Sequence, residues 1–259
     1  MLDELFAGSI ADALTRREVA PLDKVEKAAL SQVPALNALE FLAPSEQIKI
    51  LAEVKRASPS RGQMAEIPDP AALAKIYAEN GASAISVLTE ERKFKGSLAD
   101  LIAVRENVSV PLLRKDFIAN EYQILEARAA GADIILLIVA GLSQKDIERL
   151  KHFIEELGMT AFVETHSEDE LKRAIDVDTK MVGINARDLS TFETDRNLFG
   201  SLVHLIPAGV IKVAESAVRN ADDVAHYRAA GADVALVGEA LVTNDPAAML
   251  QSFLNAGKS

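Results

Sequence analysis

AGADIILLI, residues 130–138, ends a helical pattern on a glycine and passes at once into an unbroken apolar run. The same pattern recurs as NGASAISVL at 80–88 and as AGADVALVG at 230–238, each time behind a stretch of helical period. Gly81, Gly131 and Gly231 fit the left-handed position that closes a helix, where a Cβ is costly and its absence is not. Their offsets are multiples of about 50 residues, or two βα units of ~25 residues each. Five more apolar runs accompany them: IKILAEV from 48, VPLLRKD from 110, MTAFVE from 159, KMVGIN from 180 and VIKVAES from 210. Near-continuous apolar strands alternating with helices mark a parallel sheet covered on both faces. The pattern predicts an α/β fold, a (β/α)8 TIM barrel. An open doubly wound sheet would want a GxGxxG turn after its first strand, and the sequence has none.

Residues 1–46 precede the first strand and read as one or two amphipathic helices, LDELFAGSIADALTRRE and DKVEKAALSQ. They are expected either as a lid over one barrel mouth or as packing at its bottom. No Gly/Ser-rich linker or low-complexity segment divides the rest of the chain, so one barrel domain over 1–259 is expected, with 1–46 its N-terminal helical extension.

Composition narrows the class. A chain of 259 residues, 49% hydrophobic and 26% charged, is long enough for a closed barrel. The absence of cysteine excludes disulfides, thiolate zinc sites and a cysteine nucleophile, and makes a reducing cytoplasm the expected location. No apolar run approaches the ~18 residues of a membrane span, and the first residues carry acids where an export signal needs lysines. Neither a membrane nor nucleic acid is an expected partner, the latter because the net charge is −11. An anionic ligand would need a few placed cations to overcome that global field.

Such cations fall at strand ends. Alternate strand residues share a face, so Leu51, Glu53 and Lys55 point one way and Ala52 and Val54 the other. A single Glu-x-Lys is commonly a structural ion pair. Here the pattern recurs: Leu113 leads to Lys115, Phe162 to Glu164, Gly183 to Asn185 and Val213 to Glu215, each polar residue extending an inward row. Barrel enzymes draw their catalytic groups from these C-terminal strand ends, so the recurrence favours a catalytic cluster over a structural network.

The chemistry open to that cluster is narrow. His152, His204 and His226 fall in helical stretches, and no metal-binding or nucleotide-cofactor pattern is present, so no cofactor is expected. His166 follows Glu164, but Thr165-His166-Ser167-Glu168 also reads as a helix start capped by Ser167, which leaves His166 off the substrate. Lysines and glutamates suit acid–base work if burial and neighbours move their pKa values toward neutrality. A lysine can also form a Schiff base, so an aldolase-type barrel acting on a sugar phosphate stays open, as does an inactive binding barrel. Phosphate recognition is expected from the loops after strands 7 and 8, which carry Ser216, Ala217, Gly238 and Glu239, with Ser58 able to add a hydroxyl.

In order along the chain stand EVKRASPSRG, SVLTEERKFKGS, LLRKDFI, GADIILLIV, GINARDLSTFETD, AESAV and GADVALVGEAL. Together these blocks resemble the indole-3-glycerol-phosphate synthase family of tryptophan biosynthesis, from about residue 46 to 250. The resemblance implies closure of 1-(2-carboxyphenylamino)-1-deoxyribulose 5-phosphate to indole-3-glycerol phosphate, with loss of carbon dioxide and water, by a carboxy-lyase; a monomer is the expected state. It implies Lys115 as the acid on the C2 carbonyl oxygen or the holder of the carboxylate, and Lys55 as a second acid. Glu164 would be the base or the stabiliser of developing positive charge, Glu53 would position Lys55, and Glu215 and Asn185 would bind sugar hydroxyls. Arg187 would hold site geometry or the anionic substrate, and Phe94, Phe117, Leu136, Leu189 and Leu236 would form the slot for the aromatic ring. One departure stands out: the family usually has Glu-Ser-Gly where this chain reads Glu215-Ser216-Ala217. A Cβ there obstructs a positive φ or a close approach to phosphate.

Overall fold

The computed structural model describes residues 1–258 apart from 189, 190 and 192. Its strands are β1 (Lys49–Val54), β2 (Ala84–Leu88), β3 (Leu112–Lys115), β4 (Ile134–Ile138), β5 (Thr160–Thr165), β6 (Met181–Asn185), β7 (Ile211–Glu215) and β8 (Val234–Val237). Each pairs in parallel with the next, and β8 pairs with β1 to close the barrel. All eight apolar runs thus became barrel strands. The runs are apolar on both sides because inward residues such as Leu51, Leu113, Phe162 and Val213 fill the barrel while outward ones meet the surrounding helices.

Local chemistry sets the helix limits. The helices at Pro70, Leu98, Glu121, Gln144, Glu168, Ala221 and Pro246 start behind Asp69, Ser97, Asn120, Ser143, Ser167, Asn220 and Asp245. Each of these side chains accepts a backbone N–H three residues on. At the other end, Gly81, Gly131 and Gly231 hold φ of 97°, 89° and 97°, the left-handed closure their spacing predicts. The aspartates of the two Gly-Ala-Asp repeats tie strand starts together at the barrel bottom. Asp133 accepts the N–H groups of Leu112 at 2.9 Å and Leu36 at 2.8 Å, and Asp233 accepts that of Lys212 at 2.9 Å.

The N-terminal segment takes both expected places. Helix Leu2–Val19 lies by the C-terminal mouth, where Phe6 packs edge-on against Phe117 with ring centroids 5.6 Å apart. Its Ser9 donates to Asp116 at 3.0 Å and accepts from Gln123 at 2.9 Å, and its Arg16 grips Glu126 through two bonds of 2.6 and 2.9 Å. Helix Leu22–Ser31 packs outside helix Glu121–Ala129 through Val25, Ala29 and Leu125. The chain then bonds through Gln32 to Ala129 and through Leu36 to Asp133, reaching the bottom before entering β1. Among the described residues no helix is long and apolar enough to cross a membrane.

Candidate active site

Strand parity and register bring the inward charges to one point. Glu53, Lys115, Glu164, Asn185 and Glu215 come from β1, β3, β5, β6 and β7, with Glu164 level with Gly183, and Asn185 with Glu215. The Lys115 ammonium lies 2.7 Å from Glu215 Oε2, 3.5 Å from Glu164 Oε2 and 3.8 Å from Glu53 Oε2. Glu53 turns its other oxygen to Lys55 Nζ at 2.6 Å, so this one carboxylate bridges both lysines. Two glycines make the space. A Cβ on Gly183 would collide with Glu215 Oε1 and the Phe162 ring, and one on Gly238 would strike the Glu53 carboxylate and press on Lys55 Nζ.

Burial makes these contacts strong, and they move Lys115 and Glu164 away from neutrality, the reverse of the sequence expectation, because each faces opposite charge at close range; Glu215 alone moves toward it. It would drive the Lys115 pKa down, but Glu215, Glu164 and Glu53 together hold it well above the ordinary lysine range. Burial would raise Glu164, yet Lys115 and His166 hold it far below the usual carboxylate range. Glu215 takes the opposite course: burial and the neighbouring Glu164 push it up to about 8, against the pull of Lys115. Two carboxylates at one buried point do not both ionise freely, and Glu215 is the one that keeps a proton near neutrality.

A cavity of about 380 Å³ opens over this cluster. Every site residue predicted from sequence lines it, except Leu189, which lies outside the described residues. Phe94, Phe117, Leu136 and Leu236 supply apolar lining, with the Phe94 and Phe117 rings 6.1 Å apart. Ser58 sits on a small hairpin, Ala57–Ser58 with Gly62–Gln63, that comes after β1 and folds over the mouth. Arg187 reaches it, donating to Ser60 at 3.0 Å, and Arg61 of the same turn pairs with Glu239 at 2.9 Å. Two strands round the mouth, after β7, Ser216 and Ala217 both hold positive φ, 67° and 58°. Ser216 donates to Asn185 Oδ1 at 2.7 Å, and its carbonyl accepts from the Tyr227 hydroxyl at 3.2 Å, which fixes this strained turn.

Residues not singled out from sequence also line the cavity, among them Leu5, Ser60, Arg61, Asp116, Arg196 and Arg219. Arg196 and Arg219 converge on Asp223, at 2.7 and 3.2 Å; the second pair has i,i+4 spacing, while nothing in the sequence spacing signals the first. His166 stays out of the cavity lining, as expected, but it has a contact the sequence reading did not assign. Ser167 does cap the next helix, but the imidazole is buried behind the cluster with Nε2 3.2 Å from Glu164 Oε1.

This set of strand-end lysines and glutamates matches the family suggested by the sequence blocks, and direct comparison agrees. The family model for indole-3-glycerol phosphate synthase matches residues 2–253. The chain belongs to the indole-3-glycerol phosphate synthase family. It is 63% identical over 253 residues to the indole-3-glycerol phosphate synthase of Leifsonia xyli subsp. xyli, covering 98% of this chain and 97% of the relative. To that of Rhodococcus opacus it is 52% identical over 258 residues, covering 99% and 96%. The 3-hexulose-6-phosphate synthase structure from Salmonella typhimurium superposes with a TM-score of 0.64 over 81% of this chain and 98% of that one; at 14% identity it supports the barrel alone. Members of the indole-3-glycerol phosphate synthase family are decarboxylating carbon–carbon lyases acting on a small phosphorylated substrate, and this chain is one of them.

Proposed function

We propose that the cluster closes the indole ring of 1-(2-carboxyphenylamino)-1-deoxyribulose 5-phosphate, with Lys115 as the central charge. The observation that carries this is the Lys115 ammonium held within 4 Å of three buried carboxylates while a second lysine, Lys55, is bound through Glu53. Attack of an aromatic carbon on the C2 ketone builds negative charge on the carbonyl oxygen. A desolvated, firmly charged lysine stabilises that oxyanion and delivers a proton to it. Once the ring carbon bearing the carboxylate is tetrahedral, carbon dioxide leaves and the C–C electron pair returns to the ring.

Loss of water then needs an acid near the new hydroxyl and a base or anion near the cationic ring nitrogen. Lys55 suits the first role and Glu164 the second, with Glu53 setting the place of Lys55. Asn185 and Glu215 are placed for the sugar hydroxyls, and a protonated Glu215 can donate as well as accept. With that proton in place two lysines face two ionised glutamates, so the cluster is neutral inside a chain of net charge −11. An anionic substrate is then tolerated by the cavity despite the global field. Ser58, Ser216, Ala217, Gly238 and Glu239 lie where the phosphate would be bound, Arg187 ties the mouth loops, and the slot of Phe94, Phe117, Leu136 and Leu236 takes the arene.

A monomer is the proposed working unit, and the cysteine-free composition supports the cytoplasm as its location. Schiff-base chemistry needs a neutral amine, and the three glutamates hold Lys115 charged instead. The purified chain should therefore convert the substrate to the fluorescent indole product, and borohydride added during turnover should leave no adduct on Lys55 or Lys115. Trapped adduct on either lysine, or no indole product, would overturn the proposal.

A further inference from the structure

His166 stands two residues beyond Glu164 at the end of β5, and the pleat carries both to the same side. Its side chain is only 9% exposed. Nε2 lies 3.2 Å from Glu164 Oε1, and Nδ1 lies 3.1 Å from Glu170 Oε2. That same Glu170 oxygen accepts the backbone N–H of His166 at 2.8 Å, and Ser167 fixes Glu170 in the first helical turn by taking its N–H at 3.3 Å. The imidazole therefore sits between a carboxylate that lines the cavity and one behind it.

The two oxygens of Glu164 are not equivalent. Oε1 has Asn185 Nδ2 at 3.2 Å and His166 Nε2 at 3.2 Å. Oε2 faces Lys115 at 3.5 Å and has no hydrogen-bond partner, although it is fully buried. His166 Nε2 is off the line of a good hydrogen bond to Oε1 and has no other acceptor, so it holds Glu164 as a close ion pair with imperfect donor geometry. Burial pulls the imidazole pKa down, but Glu164 and Glu170 outweigh it and push it up to about 10, which keeps the ring cationic through the neutral range.

We infer that His166 is a positioning residue for the reaction: braced by Glu170, it fixes Oε1 of Glu164 and leaves Oε2 as the working oxygen toward Lys115 and the substrate. This rests on the role proposed for Glu164. A purely structural histidine would matter to folding alone, whereas a positioning cation also sets where Glu164 titrates. The groups facing Glu164 are Lys115, Glu53, Glu215 and Asn185 from other strands, and His166 is the cation supplied from its own.

The test is steady-state kinetics across pH on the full chain carrying His166→Phe, His166→Gln or Glu170→Gln, with Glu164→Gln measured alongside. His166→Phe keeps the ring volume and removes the charge. It should lower kcat roughly 10- to 100-fold, the span of a lost charge-assisted contact, with little change in KM. Glu164, far below the usual carboxylate range in the native chain, should titrate higher without that cation, so an acid limb should appear in the pH–kcat profile or move to higher pH. His166→Gln restores a donor without charge and should recover part of the rate but not the limb. Should His166→Phe fail to fold, Glu170→Gln, which frees the ring, should show a smaller loss of kcat in the same direction. A folded His166→Phe, or failing that Glu170→Gln, with unchanged kcat and acid limb would overturn the inference. If Glu164→Gln is disabled while the His166 variants are not, only the His166 inference falls. If Glu164→Gln itself keeps full kcat, the role of Glu164 falls and takes this inference with it.

Discussion

Replacing Ala217 by glycine should make the enzyme both more stable and somewhat better at holding its phosphate. Ala217 occupies φ 58°, the left-handed region, next to Ser216 at 67°. For an L-residue that region costs roughly 1–2 kcal/mol. Glycine removes the cost but gives back about 0.5–1 kcal/mol through the extra freedom of the unfolded chain. The net gain is about 0.5–1 kcal/mol, or a rise in Tm of about 1–3 °C for a chain of this size. Because the loop holds this φ as a property of the folded chain, fixed by the Ser216–Asn185 and Tyr227–Ser216 hydrogen bonds, the strain is common to free and bound enzyme and cancels from KM. What remains for binding is the methyl group itself beside the phosphate position. Its removal should lower KM by no more than about fivefold, equivalent to ~1 kcal/mol, and leave kcat nearly unchanged. Calorimetric melting and substrate titration of both forms give the two numbers. A Tm that fails to rise would refute the strain reasoning, and a KM that rises would refute the crowding reasoning.

Glu164→Gln keeps the shape of the side chain and removes its charge, so it should depress kcat on the order of 10²-fold while changing KM far less. A change confined to KM would move Glu164 into substrate binding. Glu215 is raised in the folded state from an ordinary 4.5 to about 8, so it favours folding below about 4.5 and loses that contribution as pH rises to about 8. The urea midpoint of the native chain, taken relative to Glu215→Gln, should therefore fall between pH 5 and 8; a difference that stays flat across that window counts against the shared-proton arrangement.

Much of this was legible in the sequence because it rests on short-range periodicities. The Gly-Ala-Asp repeats state both the helix closure and the strand after it, and a period of two puts Glu53, Lys115, Glu164 and Glu215 on the inward rows. The contact of His166 with Glu164 obeys the same parity, so a signal was there; the overlapping helix-start pattern at Ser167 hid it, and both patterns turned out to be real. Other features had no local signature. The hairpin at Ala57–Ser58 and Gly62–Gln63 is two residues to a side, too short for alternation to show. The positive φ of Ser216 is imposed by Asn185 and Tyr227 from distant parts of the chain. Arg196 joins the local Arg219–Asp223 pair only because the loop after β6 crosses toward the loop after β7. The N-terminal helix could be placed at the mouth only once Ser9 was seen against Asp116, the neighbour of Lys115.

The central claim, that the charged Lys115 inside its ring of glutamates drives ring closure, is tested most directly by Lys115→Met. Methionine keeps an apolar stem of similar reach and removes the ammonium, leaving Glu53, Glu164 and Glu215 without their shared cation. With circular dichroism showing a folded barrel, single-turnover formation of indole-3-glycerol phosphate should slow by about 10²-fold or more. A folded Lys115→Met enzyme that closes the ring at near-native rate would contradict the account.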